Sequence, residues 1–212
     1  MGRLDQLLPV DRVVVTDGGH FIQWPATYLR VESAESLVLV GTQFQSIGLG
    51  FPSAPGAVRA AGERTTVLVV GDGGGLMGIA DAESFVRTAR RGVVVVMNDG
   101  AYGAEVHQYG ARGLAERPML LPDLDFAGML AALGARTRVV ERLEDLADLG
   151  AWLASGAAGT YVADCRISRT VLAPYLAEVR AQAAGATRGP AGRSPRGASP
   201  TPSPSSRSRT AG

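Results

Sequence analysis

The chain contains no lysine: all 21 of its basic residues are arginine, set against 20 acidic ones for a formal charge of +1 over 212 residues. A balance so close to neutral argues against a nucleic-acid partner for the folded part. A single cysteine, Cys165, excludes an internal disulfide, and its surroundings contain no metal-ligand spacing. No run approaches the roughly 18 apolar residues of a membrane span, and the first residues lack the apolar segment of a signal peptide. These absences lead to the expectation of a cytoplasmic protein that contacts no membrane. What the chain has in quantity is apolar and small: 46% hydrophobic residues and 28 glycines.

Six short apolar runs recur, at 12–17, 36–41, 65–72, 93–99, 137–141 and 160–167. They are nearly continuous in their hydrophobicity, as in strands covered on both faces. Between them, 76–90 carries an apolar stripe at helical spacing, 124–133 and 143–155 read similarly, and 171–183 reads as a final helix. Strands alternating with helices predict an α/β fold: a three-layer, doubly wound, mostly parallel sheet with helices on both faces. The predicted domain is 1–183. From about Gly185 the chain carries five Arg, no acid and almost nothing apolar, so 184–212 is expected to be a disordered tail.

Chemistry concentrates at the expected strand ends, where open α/β sheets bind ligands. Gly73 to Gly78 satisfies G-x-G-x-x-G between a strand and a helix, and Asp99 follows at the next strand end, as a dinucleotide fingerprint requires. This leaves an NAD- or FAD-binding protein as one reading. Asp72 tells against it, because its charge stands directly before the glycines and repels a pyrophosphate unless a cation intervenes. The loops 16–24 and 41–57 are also distinctive, which suggests a larger ligand.

Gly71-Asp72-Gly73 followed by Asn98-Asp99, with Gly48-Leu49-Gly50-Phe51-Pro52 upstream, resembles the cofactor signature of thiamine-diphosphate enzymes. Residues 10 to 170 look like the C-terminal, diphosphate-binding domain of the acetolactate synthase and pyruvate decarboxylase group. The resemblance implies thiamine diphosphate and Mg²⁺ as cofactors, with the ion held by Asp72, Asp99 and the backbone carbonyl of Ala101. Mg²⁺ takes six oxygen ligands, only a few of them from protein. Gly71 belongs to the same signature, and the N–H groups of Gly73 and Gly74 would face the phosphates at a helix start. Gly19 and His20 would touch the diphosphate from the first loop, His20 being otherwise an exposed loop residue. Two departures stand out. Asp99 occupies a position that is usually Asn, implying tighter metal binding but a less favourable diphosphate environment. Gly74 stands where many relatives have Ser.

Ile47 matches the bulky residue that bends the cofactor between its two rings, the alternative being an ordinary core position. Glu105 matches an active-site glutamate of the decarboxylase-like relatives, where it could protonate a carbanion-like carbon or steer a carboxylate. The alternative is a solvated helix residue. His107 is a weaker catalytic candidate, and Tyr102 reads as packing. The implied reaction is decarboxylation of a 2-oxo acid followed by protonation or by addition to a second carbonyl compound, a lyase or transferase activity. The family mechanism also needs a glutamate from a pyrimidine-binding domain, for which the chain has no room before its first strand. The expected partners are therefore a chain carrying that domain, a second copy in a homodimer, or both. A split subunit, a truncated product and a non-catalytic interaction module all remain open.

Overall fold

The computed structural model describes residues 1–40 and 46–186, so the start of the 41–57 loop and the expected tail beyond Ala186 lie outside the described residues. Met1–Ala177 form one compact unit, and the described part of the second, from Glu178, continues the terminal helix Pro174–Ala186.

All six apolar runs are strands: β1 (Arg12–Thr16), β2 (Leu37–Leu39), β3 (Thr65–Gly71), β4 (Arg91–Asn98), β5 (Arg136–Val140) and β6 (Gly159–Arg166). They pair in parallel throughout, in the order β2-β1-β3-β4-β6-β5. Alternate side chains of each strand enter opposite layers, as the two-residue strand period dictates. Val14, Val67, Val69, Val93, Val95 and Tyr161 pack in one layer with Leu4 and Leu8, and with Leu149 and Trp152. Those partners belong to or adjoin helices α1 (Gly2–Leu7) and α8 (Ala147–Ala154); α2 (Gln23–Tyr28) lends Trp24 to the same side. Val15, Leu68, Val70, Val94, Val96 and Val162 pack in the other. There they meet Phe51 and Ala54 of α3 (Gly50–Ala61), Phe85 of α5 (Ala82–Thr88), and Phe126 and Leu130 of α7 (Phe126–Ala131). The three-layer architecture is the expected one.

Two local expectations fail. The stripe over 76–90 is not one helix: α4 (Asp72–Met77) ends at Gly78, a 3₁₀ turn spans Ile79–Asp81, and α5 follows. A Cβ on Gly78 would stand 2.8 Å from the carbonyl oxygen of Gly48 and 2.9 Å from the Pro52 ring, so the chain bends where two backbones meet. Conversely, much of the 41–57 loop is helix. Gly and Pro density hid α3, yet Pro52 falls in its first turn, where a missing N–H costs little. Phe51, Ala54 and Ala61 then place a buried stripe at helical spacing.

The β1–β3 junction is the switch point of this order. The chain leaves β1 on the α2 side and leaves β3 on the α5 side, which opens a crevice beyond their carboxyl ends. The core between the layers should dominate stability. Leu68→Ala, at a fully buried position, is expected to lower unfolding free energy by about 2–5 kcal/mol. Leu143→Ala, at a residue 66% exposed, should stay within about 0.5 kcal/mol. Urea denaturation followed by circular dichroism checks both.

Candidate active site

The crevice is a small cleft of about 40 Å³ walled by Gly18–Phe21 after β1, Ile47, Gly71–Gly74 after β3, Met97 on β4, and Ala101–Glu105 after β4. Three parallel strand ends therefore deliver the site, and helix α6 (Gly103–Tyr109) closes it.

Two carboxylates from adjacent strand ends converge here, Asp72 in the cleft lining and Asp99 just behind it, outside the lining. The backbone N–H of Ala101 donates to Asp72 Oδ2 and to Asp99 Oδ1, at 3.1 Å in each case. Both residues are buried, Asp72 2% and Asp99 7% exposed. Burial raises the Asp72 carboxyl to about 6, the charge of Asp99 adds to the rise, and the amides of Gly73, Ala101 and Gly100 oppose it. Burial likewise raises Asp99 to about 6, against the Arg169 charge and the Ala101 amide. Asp99 Oδ2 is buried without a hydrogen-bond partner. A desolvated anionic oxygen with nothing to receive is what a cation would satisfy. Among the described residues no three His, Cys, Asp or Glu side chains gather in a metal-binding group. An ion here would thus take two carboxylates and complete its shell with backbone, ligand and water oxygens, the pattern typical of Mg²⁺.

Glycine builds the remaining shape by omission. A Cβ on Gly73 would lie 2.6 Å from the Tyr102 ring, and one on Gly103 would lie 2.5 Å from His20 and 2.7 Å from Asp99 Oδ2. Gly74 has no room for a longer side chain either, since its Cβ would stand 2.6 Å from Asp17 Oδ2.

The first loop holds His20 inside the protein, 6% exposed, rather than on an exposed turn. Its Nε2 is 3.5 Å from Asp99 Oδ2, and burial holds its pKa below the ordinary histidine value. Gly19 reaches the cleft with φ at +141°, a conformation open to glycine. Ile47 is half-buried in the cleft wall and not a core residue. Glu105 is half-buried and lines the cleft. His107 does not: it is buried behind His20, the ring centroids 5.2 Å apart and edge to face. As a candidate acid or base it is misplaced, because α6 turns it toward the interior.

Two supporting residues, Asp17 and Arg169, carry no motif of their own in the sequence, and a third, Asn98 of the Asn-Asp pair, serves the sheet instead of the ligand. Asp17 is fully buried and accepts backbone N–H bonds from Gly18, Gly48 and Leu49. Arg169 donates to the carbonyl oxygens of Asp99 and Gly100, clamping the turn that carries the second carboxylate. Asn98, half of the Asn-Asp signature, points away from the cleft and donates to Leu124 O and Asp164 Oδ1, tying β4 to β6. The one available sign for Asp17 was a carboxylate between a strand end and two glycines; Arg169 left none.

A doubly wound sheet with a glycine-walled, doubly acidic cleft at its switch point defines a ligand-binding α/β domain. The family is settled by comparison: the chain belongs to the thiamine pyrophosphate enzymes, whose C-terminal TPP binding domain model matches residues 17–164. It is 33% identical over 147 residues to the sulfoacetaldehyde acetyltransferase of Castellaniella defragrans, covering 68% of this chain and 24% of that protein. It is 30% identical over 141 residues to the acetolactate synthase of Bacillus subtilis (strain 168), covering 66% of this chain and 24% of that one. The chain thus spans about a quarter of the length of these relatives. The crystal structure of benzoylformate decarboxylase from Polynucleobacter necessarius superposes with a TM-score of 0.70 at 21% identity, over 82% of this chain and 33% of that one, showing the shared fold.

The paired carboxylates carry a pH signature. With folded pKa values near 6 against an ordinary 3.8, the folded chain holds protons that the unfolded chain releases. Their stabilising contribution is complete below about pH 4 and is lost as pH rises through 6. Metal-free Asp72→Asn should therefore exceed the wild type in stability above pH 7, by on the order of 1–3 kcal/mol, with no advantage near pH 4. Thermal unfolding in chelator across pH 4–8 measures the difference.

Proposed function

We propose that the cleft binds thiamine diphosphate through Mg²⁺, and that the chain is the diphosphate-binding half of an enzyme acting on 2-oxo acids. The observation that carries the reading is the convergence of Asp72 and Asp99 on one amide, with Asp99 Oδ2 buried, without a hydrogen-bond partner and 3.5 Å from His20 Nε2. Asp72, Asp99 and the carbonyl of Ala101 would hold the cation. Gly19, His20, Gly71, Gly73 and Gly74 would enclose the diphosphate, at a distance from solvent that strengthens each contact. When bound, the coenzyme supplies a thiazolium ring that accepts the electron pair left by departing CO₂.

The chain's own residues then have separable tasks. Asp72 and Asp99 bind, and Arg169 keeps the second of them turned inward. Ile47 presents an apolar surface to the ring portion of the ligand. Glu105, half-buried at the cleft wall, would hold or deliver a proton to the substrate-derived carbon. His107 backs His20 and fixes its ring plane. Turnover requires a pyrimidine-binding domain from a partner chain, a second copy, or a further part of the same protein.

A nucleotide-binding reading of Gly73–Gly78 is disfavoured by the same two charges, which would face a pyrophosphate unneutralised. Calorimetry separates the two. The chain should bind thiamine diphosphate only with Mg²⁺ present, and Asp72→Ala or Asp99→Ala should each weaken that binding at least a hundredfold. Binding of NADH that persists in chelator would instead support the nucleotide reading.

A further inference from the structure

The completely buried carboxylate of Asp17 has no role in holding the cation. It sits one residue beyond β1, its own N–H donating to Val69 O of β3 at 3.0 Å, so its backbone is fixed to the sheet. Its Oδ1 accepts the N–H groups of Gly18 at 2.8 Å and Leu49 at 3.2 Å, and its Oδ2 accepts that of Gly48 at 2.9 Å. Among the described residues Asp17 forms no ion pair. A buried charge answered by amides alone is a poor source of net stability, yet it fixes the direction of every peptide group that points at it.

Two of those peptide groups follow Ile47 directly. Gly48 has φ at +86°, and a Cβ there would stand 2.8 Å from Met77 Cβ, so only glycine turns the chain at this point. Before the turn, Ser46 Oγ donates to Ile47 O at 3.2 Å; after it, α3 begins at Gly50. No strand pairing supports Ser46 to Leu49. The direction in which Ile47 enters the cleft therefore depends on the amides of Gly48 and Leu49 meeting Asp17.

We propose that Asp17 is the positioning residue for Ile47, setting the wall against which the ring portion of the ligand rests, while Asp72 and Asp99 serve the diphosphate end. The proposal rests on the assignment of thiamine diphosphate to the cleft. It gives the carboxylates different tasks: a pair that grips the ion, and a third, answered by backbone amides, that aims an apolar side chain.

The substitution Asp17→Asn isolates this role. It preserves size, but one face becomes an NH₂ group, so whichever way the amide turns, the N–H of Gly48 or of Leu49 loses its acceptor. Binding of Mg²⁺–thiamine diphosphate and of Mg²⁺–pyrophosphate to the full chain is measured by calorimetry for wild type, Asp17→Asn, Ile47→Ala and the double variant. The expected result is at least a tenfold loss for thiamine diphosphate in each single variant, with pyrophosphate affinity within twofold of wild type. The double variant should be no worse than the weaker single one, because both remove the same contact. Equal loss of both ligands in Asp17→Asn, unchanged binding of both, or additive losses in the double variant would overturn the proposal. A wild-type chain that binds pyrophosphate but not thiamine diphosphate would overturn it too, while binding neither would bring down the cofactor assignment itself. If Asp17→Asn does not fold, Asp17→Thr supports the same comparison, its pyrophosphate affinity reporting on the intact fold.

Discussion

Two negative charges held within reach of a single amide, out of water, are an arrangement that a protein cannot keep for its own stability. Like charges in a low-dielectric pocket repel, and each raises the cost of ionising the other. Asp72 and Asp99 nevertheless face the same Ala101 N–H, and the surrounding structure is organised to keep them there. Arg169 clamps the carbonyls on either side of Gly100, Tyr102 closes over Gly73, and His20 fills the space that Gly103 leaves. The unfavourable electrostatics are thus balanced by contacts whose common product is geometry at one point.

Sheet topology puts the pair there. In an all-parallel sheet every strand finishes on the same edge, so residues separated widely in sequence meet at one rim without a long loop. The reversal between β1 and β3 spreads the helices apart and leaves the rim open where the glycine-rich turns lie. Buried valines on both faces of β3 and β4 pack those strands between the two helix layers, so the strand ends that carry the site are held by core contacts on each side.

Much of this was legible in the sequence, for identifiable reasons. Continuous apolar runs marked β1, β3, β4 and β6, which are buried on both faces, while the edge strands β2 and β5 are partly exposed and were marked by shorter runs. The Gly-Asp-Gly and Asn-Asp motifs marked the site because their order and spacing resemble a known cofactor signature. What escaped notice was of another kind. The break at Gly78 follows from an approach of the Gly48 carbonyl, 30 residues away in number, and no local pattern records it. Helix α3 was hidden by its Gly and Pro content: Pro52 sits harmlessly in the first turn, but Pro55 and Gly56 lie inside the helix, which its buried stripe of Phe51, Ala54 and Ala61 sustains. Asp17 and Arg169 act on backbone atoms, which every residue possesses, so neither partner is visible as a residue type. His107 shows the reverse error: its chemistry was suggestive, but the turn of α6 directs it inward.

The glycine lining gives the cleft an unusual relation to change. Where a pocket is shaped by bulky side chains, it can be trimmed, and a lost methyl group merely leaves a void. At Gly73, Gly74 and Gly103 the walls are bare backbone already in contact with Tyr102, Asp17 and His20. Variation there can only add matter, and every addition falls on a neighbour that also orients a carboxylate or the first loop. Diversification of this scaffold toward new ligands must therefore proceed from the outer wall, at positions such as Glu105, while the inner floor stays as it is.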